Sequence, residues 1–245
     1  MVRAVRNWPL VVADKLGFGD FFTYEFRMGA KVVCRGRSSD INEAVAVLSG
    51  LEYPGRFLSV EPGGVVVDVG AHIGSFVLLF DALHRETSYR GFAFEPYKES
   101  FALLTQNVTS NGVTKFQLID AAISDCDEPV YLATSDGPDA IAITDERVGA
   151  KVNCYRLSSF CEQNAIEEVD LLKVDAEGSE YRIFANDYDF IRASVKRIIV
   201  ECHAVSKYLN LNWIVEKAQD DFYWKRIRIA EDHGGVLFLA RRERR

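Results

Sequence analysis

No run of 18 uninterrupted apolar residues occurs in the 245-residue chain, so no segment is expected to span a bilayer. The opening, MVRAVRNWPLVVADKLGFGD, never builds the apolar centre of a signal peptide. Together these absences predict a soluble, cytoplasmic protein. The five cysteines (Cys34, Cys126, Cys154, Cys161 and Cys202) make no C-x-x-C pair and are odd in number. That excludes a disulfide framework and speaks against structural zinc. Surplus positive charge is lacking too: 29 Lys+Arg face 36 Asp+Glu, a net charge of −7. Nonspecific binding to nucleic acid is therefore not expected. The basic end, RRERR (241–245), reads as a solvated tail. Internal repeats and low-complexity tracts are also missing.

A 48% hydrophobic content permits a full core, and the length suits one domain with a modest extension. The first 60 residues differ from the rest. FFTYEFRMGAKVVCRGR predicts a hairpin turning at Met28-Gly29-Ala30. SSDINEAVAVLSGLEY predicts a helix, with Asp40 as N-cap and Glu43 three residues on. Pro62-Gly63-Gly64 marks the boundary, giving a small α/β cap over 1–62 and a main domain over 63–245. From there strands and helices alternate, which predicts a mostly parallel sheet covered by helices on both faces. The end predicts a hairpin around Asp232-His233-Gly234-Gly235, placing one antiparallel strand at or near the edge. A helix is expected from Ser158 or Ser159 to Asn164, and 135–150 is a candidate lid.

The most informative stretch is VVVDVGAHIG, 65–74. A β-branched run ends in Asp68, a turn carries Gly70 and Gly74, and SFVLLFDAL follows with helical spacing. Such a unit opens an α/β sheet onto a ligand at the strand's carboxyl end. The glycines let the backbone turn sharply and approach a ligand, and the helix start favours an anion. A second strand, GFAFEP, ends in Glu95-Pro96, where an acid is placed for ribose hydroxyls. A third ends in Asp120, Ala121 and Ala122, an acceptor for an adenine amine beside small apolar neighbours. A dinucleotide would favour G-x-G-x-x-G; here the turn is Gly70-Ala71-His72-Ile73-Gly74, without the middle glycine. The pattern points to a nucleoside cofactor without a pyrophosphate, S-adenosylmethionine. Asp68 would take its ammonium group or order the turn, and His72 would be a contact or a polar turn residue.

LLKVDAEGSEYRIF is the other dense site. Strand alternation puts Lys173 and Asp175 on one side, with Asp175 at the strand end and Glu177 in the next turn. The strand IIVECH ends in Glu201 and His203. If the two strands are neighbours, these five groups converge beside the cofactor, as reacting groups or as a structural Lys173–Glu201 pair with acids capping a helix. A metal held by Asp175, Glu177, Glu201 and His203 is a lesser alternative, and no metal is expected.

With DVGAHIG (68–74), FEP (94–96), AAIS (121–124), LLKVDAEGSE (171–180) and VECH (200–203) in order, the chain resembles the FkbM family of S-adenosylmethionine-dependent methyltransferases. The upstream RSSDINEAVAVLSGLEY also looks like that family's lead-in. The resemblance implies a class I methyltransferase fold, a Rossmann-like seven-stranded sheet, and methyl transfer to the hydroxyl of a sugar, polyketide or similar small molecule. It maps Asp68, Gly70, Gly74 and Glu95 onto cofactor positions, and Asp120 with Ala121 onto the adenine end. His203 or Asp175 is the expected base, with Glu177 and Glu201 orienting the acceptor and Lys173 holding a carboxylate. Asp40 and Tyr53 of the cap are candidates for contacts to cofactor or substrate. A non-catalytic cofactor-binding module is the alternative from another class.

Overall fold

The computed structural model describes residues 3–134, 141–144, 148–229 and 234–243. The chain opens with α1 (Pro9–Lys15), the antiparallel hairpin β1 (Phe21–Glu25) and β2 (Lys31–Arg35), and α2 (Asp40–Leu48). The core alternation follows: β3 (Gly64–Val69), α3 (Ser75–Leu83), β4 (Tyr89–Phe94), α4 (Lys98–Ser110) and β5 (Phe116–Ile119). Five short strands come next: β6 (Ala122–Ser124), β7 (Val130–Thr134), β8 (Ile141–Thr144), β9 (Ala150–Val152) and β10 (Cys154–Arg156). The remainder is α5 (Leu157–Gln163), β11 (Leu171–Val174), α6 (Glu180–Asn186), α7 (Tyr188–Ser194), β12 (Arg197–Cys202), α8 (Leu211–Ala218), β13 (Phe222–Ile229) and β14 (Gly235–Arg241).

Seven strands form the central sheet in the order β13-β14-β12-β11-β3-β4-β5. The strands from β12 to β5 are mutually parallel, and β14 runs antiparallel to both its neighbours. The predicted terminal hairpin is therefore present; its turn residues Asp232 and His233 lie outside the described residues. Strand order reverses between β3 and β11, whose register sets Lys173 opposite Asp68. Ligands bind at such a reversal, beyond the carboxyl ends of the strands. Continuous apolar runs make these strands: every residue of β11 is buried, as expected when both faces are covered.

One core cluster joins the cap to the sheet, running from Val5, Tyr24 and Ile41 through Phe76 and Phe80 to Leu171 and Ile199. Asn107 of α4 ties the hairpin down: its Oδ1 accepts from the Val33 N–H at 2.8 Å, and its amide donates to Val33 O (3.1 Å) and Ile73 O (2.9 Å). On the other face Phe94, Phe160, Phe184, Ile198 and Leu239 share a second cluster.

Three local expectations change. Ser39, not Asp40, is the N-cap of α2; the Ser39 hydroxyl donates to Glu43, which frees Asp40 to turn inward. Helix α5 starts at Leu157, so Ser158 and Ser159 lie in its first turn and donate to Asp187 (2.6 Å) and Asp127 (2.7 Å). Within the candidate lid, Ile141–Thr144 and Ala150–Val152 pair with β7 as a three-stranded sheet, while 135–140 and 145–147 lie outside the described residues. Among the described residues no helix is long and apolar enough to cross a membrane.

Candidate functional site

A cleft opens at the carboxyl ends of β3, β4 and β11, enclosing about 830 Å³ of empty space that is continuous with solvent. Its floor is the turn after β3. Gly70 has φ +76, and a Cβ there would stand 1.7 Å from the Asp175 carbonyl oxygen, so no other residue fits. The N–H groups of Gly70 and Ala71 both donate to Phe94 O, at 3.0 and 2.9 Å. His72 takes the left-handed conformation (φ 50), and its N–H donates to Glu95 Oε2 at 2.8 Å. The Tyr97 N–H donates to Glu95 Oε1 at 2.9 Å. Glu95 is thus fixed with one backbone donor per oxygen, and each oxygen keeps a lone pair for a hydroxyl. Burial raises its pKa, and the two backbone N–H groups oppose this. Phe94, Pro96, Ala121, Ala122, Ile123, Leu132 and Ile143 make an apolar slot beside it.

The cap closes one wall through His72. Its Nδ1 lies 2.9 Å from Glu43 Oε2, and its Nε2 lies 2.7 Å from Arg35 Nη2 and 3.3 Å from Asp40 Oδ1. Burial opposes charge on the ring, while hydrogen bonds to Asp40 and Glu43 push its pKa up. The guanidinium pulls the other way, because it can only donate. Arg35 is the nearer group, so we assign Nε2 as the acceptor and Nδ1 as the donor to Glu43, a neutral ring. Asp40 is wholly buried and accepts from the Arg35 backbone N–H (2.8 Å), Nε (3.0 Å) and Nη2 (2.7 Å).

The opposite wall is a cluster of ionisable groups. Lys173, only 3% exposed, pairs with Asp68 at 3.0 Å and donates to Gly70 O at 2.5 Å. Although burial works against its charge, Asp68 and Asp175 hold Lys173 protonated. Asp175 accepts from the Tyr53 hydroxyl at 3.1 Å and lies 3.5 Å from Lys173 Nζ. Despite its burial, Lys173 and His203 lower its pKa. His203 Nδ1 meets Glu180 Oε1 at 2.9 Å; its Nε2 lies 3.6 Å from Glu177 Oε2 and 3.9 Å from Asp175 Oδ1. Against burial, Glu180 and its neighbours raise the ring to about 10, a cation at neutral pH. Glu177, half-exposed, is pushed up to about 6 by burial. Burial and the charges of Asp175 and Glu52 push Glu201 to about 7, with Arg228 paired to it and, at 2.7 Å, to Glu52.

The model of the FkbM methyltransferase domain matches residues 68–234, from the cofactor turn to the final hairpin. The chain belongs to that family. It is a methyltransferase with the class I fold. The 31-O-demethyl-FK506 methyltransferase FkbM of Streptomyces tacrolimicus is 26% identical over 181 residues, covering 60% of this chain and 68% of the relative. The crystal structure of an FkbM methyltransferase from Methylobacillus flagellatus KT superposes with a TM-score of 0.54 at 15% identity. That match covers 78% of this chain and 47% of the other, so the chain spans under half the length of the Methylobacillus protein.

Of the family positions read in the sequence, Gly70, His72, Glu95, Pro96, Ala121, Ala122, Asp175 and Glu177 line this one cleft. Others do not. Asp68 is fully buried against Lys173 and lies outside the cleft lining. Lys173 is enclosed in the same pair, holds the turn through Gly70 O and lies outside the lining. The expected Lys173–Glu201 pair is replaced by Lys173–Asp68 and Arg228–Glu201. Ala71 and Gly74 are buried in the turn, Gly74 with φ +94 beneath Leu104. Asp120 is exposed and outside the lining. Glu201 and His203 stand behind Asp175 and Glu177 without lining the cleft. Asp40 touches neither cofactor nor acceptor space, whereas Tyr53 reaches Asp175.

Glu43, Glu180, Arg35, Arg228, Leu132 and Ile143 were not anticipated as site residues. Glu180 opens α6 just after the turn that carries Glu177, and only its place in the LLKVDAEGSE motif could have marked it. Arg35 and Arg228 had no such signal, because long-range packing alone brings them in.

Proposed function

We propose that this enzyme transfers a methyl group from S-adenosylmethionine to a hydroxyl of a small molecule. One observation carries the reading: Glu95, the Gly70–Gly74 turn and the apolar slot open into the same cleft as Asp175 and Glu177. The Streptomyces relative supports it, since its name gives an O-demethylated small molecule as acceptor. Bound S-adenosylmethionine supplies an already activated methyl on a sulfonium. The chain's own work is then alignment and water exclusion. Glu95 orients ribose hydroxyls, Phe94, Ala121, Ala122 and Ile123 enclose the base, and Leu132 and Ile143 cover it. On the acceptor side Asp175 and Glu177 receive the hydroxyl, and the cleft-facing Glu177 accepts its proton. His203 is not the base in this reading, because Glu180 keeps it protonated. Residues 1–62 act as a cap on the transferase domain, 63–245. Five free cysteines suit a reducing cytoplasm.

Calorimetry with S-adenosylhomocysteine and with NAD tests the cofactor. Binding of the first and not the second is expected; the reverse would overturn the reading. Methyl transfer from labelled cofactor to a panel of hydroxylated acceptors tests the reaction.

A further inference from the structure

Three ligand-type side chains meet on the acceptor side of the cleft: Asp175 beyond β11, Glu180 in the first turn of α6, and His203 beyond β12. Each offers an atom lying within 4.8 Å of the other two. Donors around one divalent ion, bound at roughly 2.0–2.6 Å, stand about 3–4 Å apart, so small side-chain movements close this set on an ion. A second observation is independent of that spacing. Glu180 is wholly buried, and its Oε2 has no hydrogen-bond partner. Its other oxygen is used twice, accepting from the Ala176 N–H at 2.9 Å and facing His203 Nδ1 at 2.9 Å. A buried carboxylate with an orphaned oxygen needs a cation. Of the neighbouring cations, protonated His203 serves only Oε1, Lys173 pairs with Asp68, and Arg228 with Glu52 and Glu201, which leaves Oε2 unserved; an ion bound here would displace the ring proton of His203.

We propose that Asp175, Glu180 and His203 form a binding site for a divalent cation of the Mg²⁺ or Mn²⁺ type at the acceptor end of the cleft. Two carboxylates and one imidazole suit these ions, and no thiolate is present to select a softer one. Asp175 also lines the cleft, so the ion's remaining positions face the space where an acceptor hydroxyl would bind. Coordination there lowers the hydroxyl's hold on its proton, which Glu177 is placed to receive. This role deepens the methyl-transfer reading and rests on it; cation binding itself does not.

The test uses the full chain freed of metal and titrated with Mn²⁺, reading the loss of the free-ion electron paramagnetic resonance signal. One ion per chain is expected, displaced by Mg²⁺, with Asp175→Asn and His203→Ala each weakening binding at least about tenfold. Circular dichroism verifies that each variant folds, and Glu180→Gln replaces either one that does not. A Mn²⁺ signal unchanged by millimolar protein overturns the site. So does binding that folded variants retain at wild-type affinity, because the ion then sits elsewhere. Calorimetry with S-adenosylhomocysteine, run in parallel, separates the two ideas. Cofactor binding without Mn²⁺ binding removes only the cation site, and Mn²⁺ binding without cofactor binding removes only the methyl-transfer reading.

Discussion

His72 lines the cleft and His203 stands behind Asp175 and Glu177 on the other wall, each between carboxylates, yet their surroundings resolve the same problem differently. Beside His72 the acids Asp40 and Glu43 have a permanent cation, Arg35, so the ring is left neutral as a relay of hydrogen bonds. Beside His203 the ring itself faces Glu180 and carries the positive charge. A wall with its own guanidinium is closed and structural. A wall that relies on a titratable ring can exchange that charge for something else, which is what an acceptor site requires.

The comparison is broken most directly at Asp40. Asp40→Asn strips the anion from a side chain of Arg35 that is only 10% exposed, and breaking a buried pair this way costs about 3–5 kcal/mol. Urea unfolding should show that loss, and a change under 1 kcal/mol would mean the cap wall is not closed by this pair. Next in size is Glu95→Gln, which turns an amide donor onto one of two backbone N–H groups. Calorimetry should find S-adenosylhomocysteine bound about 10- to 100-fold more weakly, equivalent to about 1.4–2.7 kcal/mol, with the fold intact.

Glu180→Gln sharpens the contrast from the other wall. Because His203 can release its proton when the Glu180 charge is removed, which Arg35 cannot do, this variant should lose less stability than Asp40→Asn while methyl transfer falls. A loss as large as that of Asp40→Asn would make the two walls alike. The smallest effect is in acid. Despite burial, hydrogen bonds from Arg35 hold Asp40 well below the usual carboxylate range, and the hydrogen bond from His72 Nδ1 lowers Glu43. Carboxylates depressed in the folded state contribute stability that is full above an ordinary value of about 4 and is lost as pH falls below it. Thermal melting between pH 5 and pH 3, on the order of those values, should therefore decline more steeply for the wild type than for Asp40→Asn.

Much of this architecture is legible in the sequence because its signals are local. β-branched runs at 64–69 and 197–202 fix strands, Gly70 and Gly74 fix a turn, and the acid ending β4 falls where the strand order needs it. What misleads is the direction of a charged side chain at a strand end. Asp68 and Asp175 end neighbouring strands in similar motifs, yet Asp68 points into the protein against Lys173 and Asp175 lies in the cleft. Alternation gives the face of the sheet, not what a neighbouring strand has already put there. Asp40 misleads for a related reason: a helix-start acid is a cap only when no buried guanidinium competes for it. Glu52, Arg228 and Arg35 are beyond local reading, since their partners lie on distant elements.

Gly70 has one more implication. With no room for a single carbon between that residue and the Asp175 carbonyl, the donor loop and the acceptor-side strand tip can only shift together, as one rigid jaw. On the methyl-transfer reading, widening the cleft for a bulkier acceptor therefore has to work on lining residues clear of this contact, such as Leu132 and Ile143.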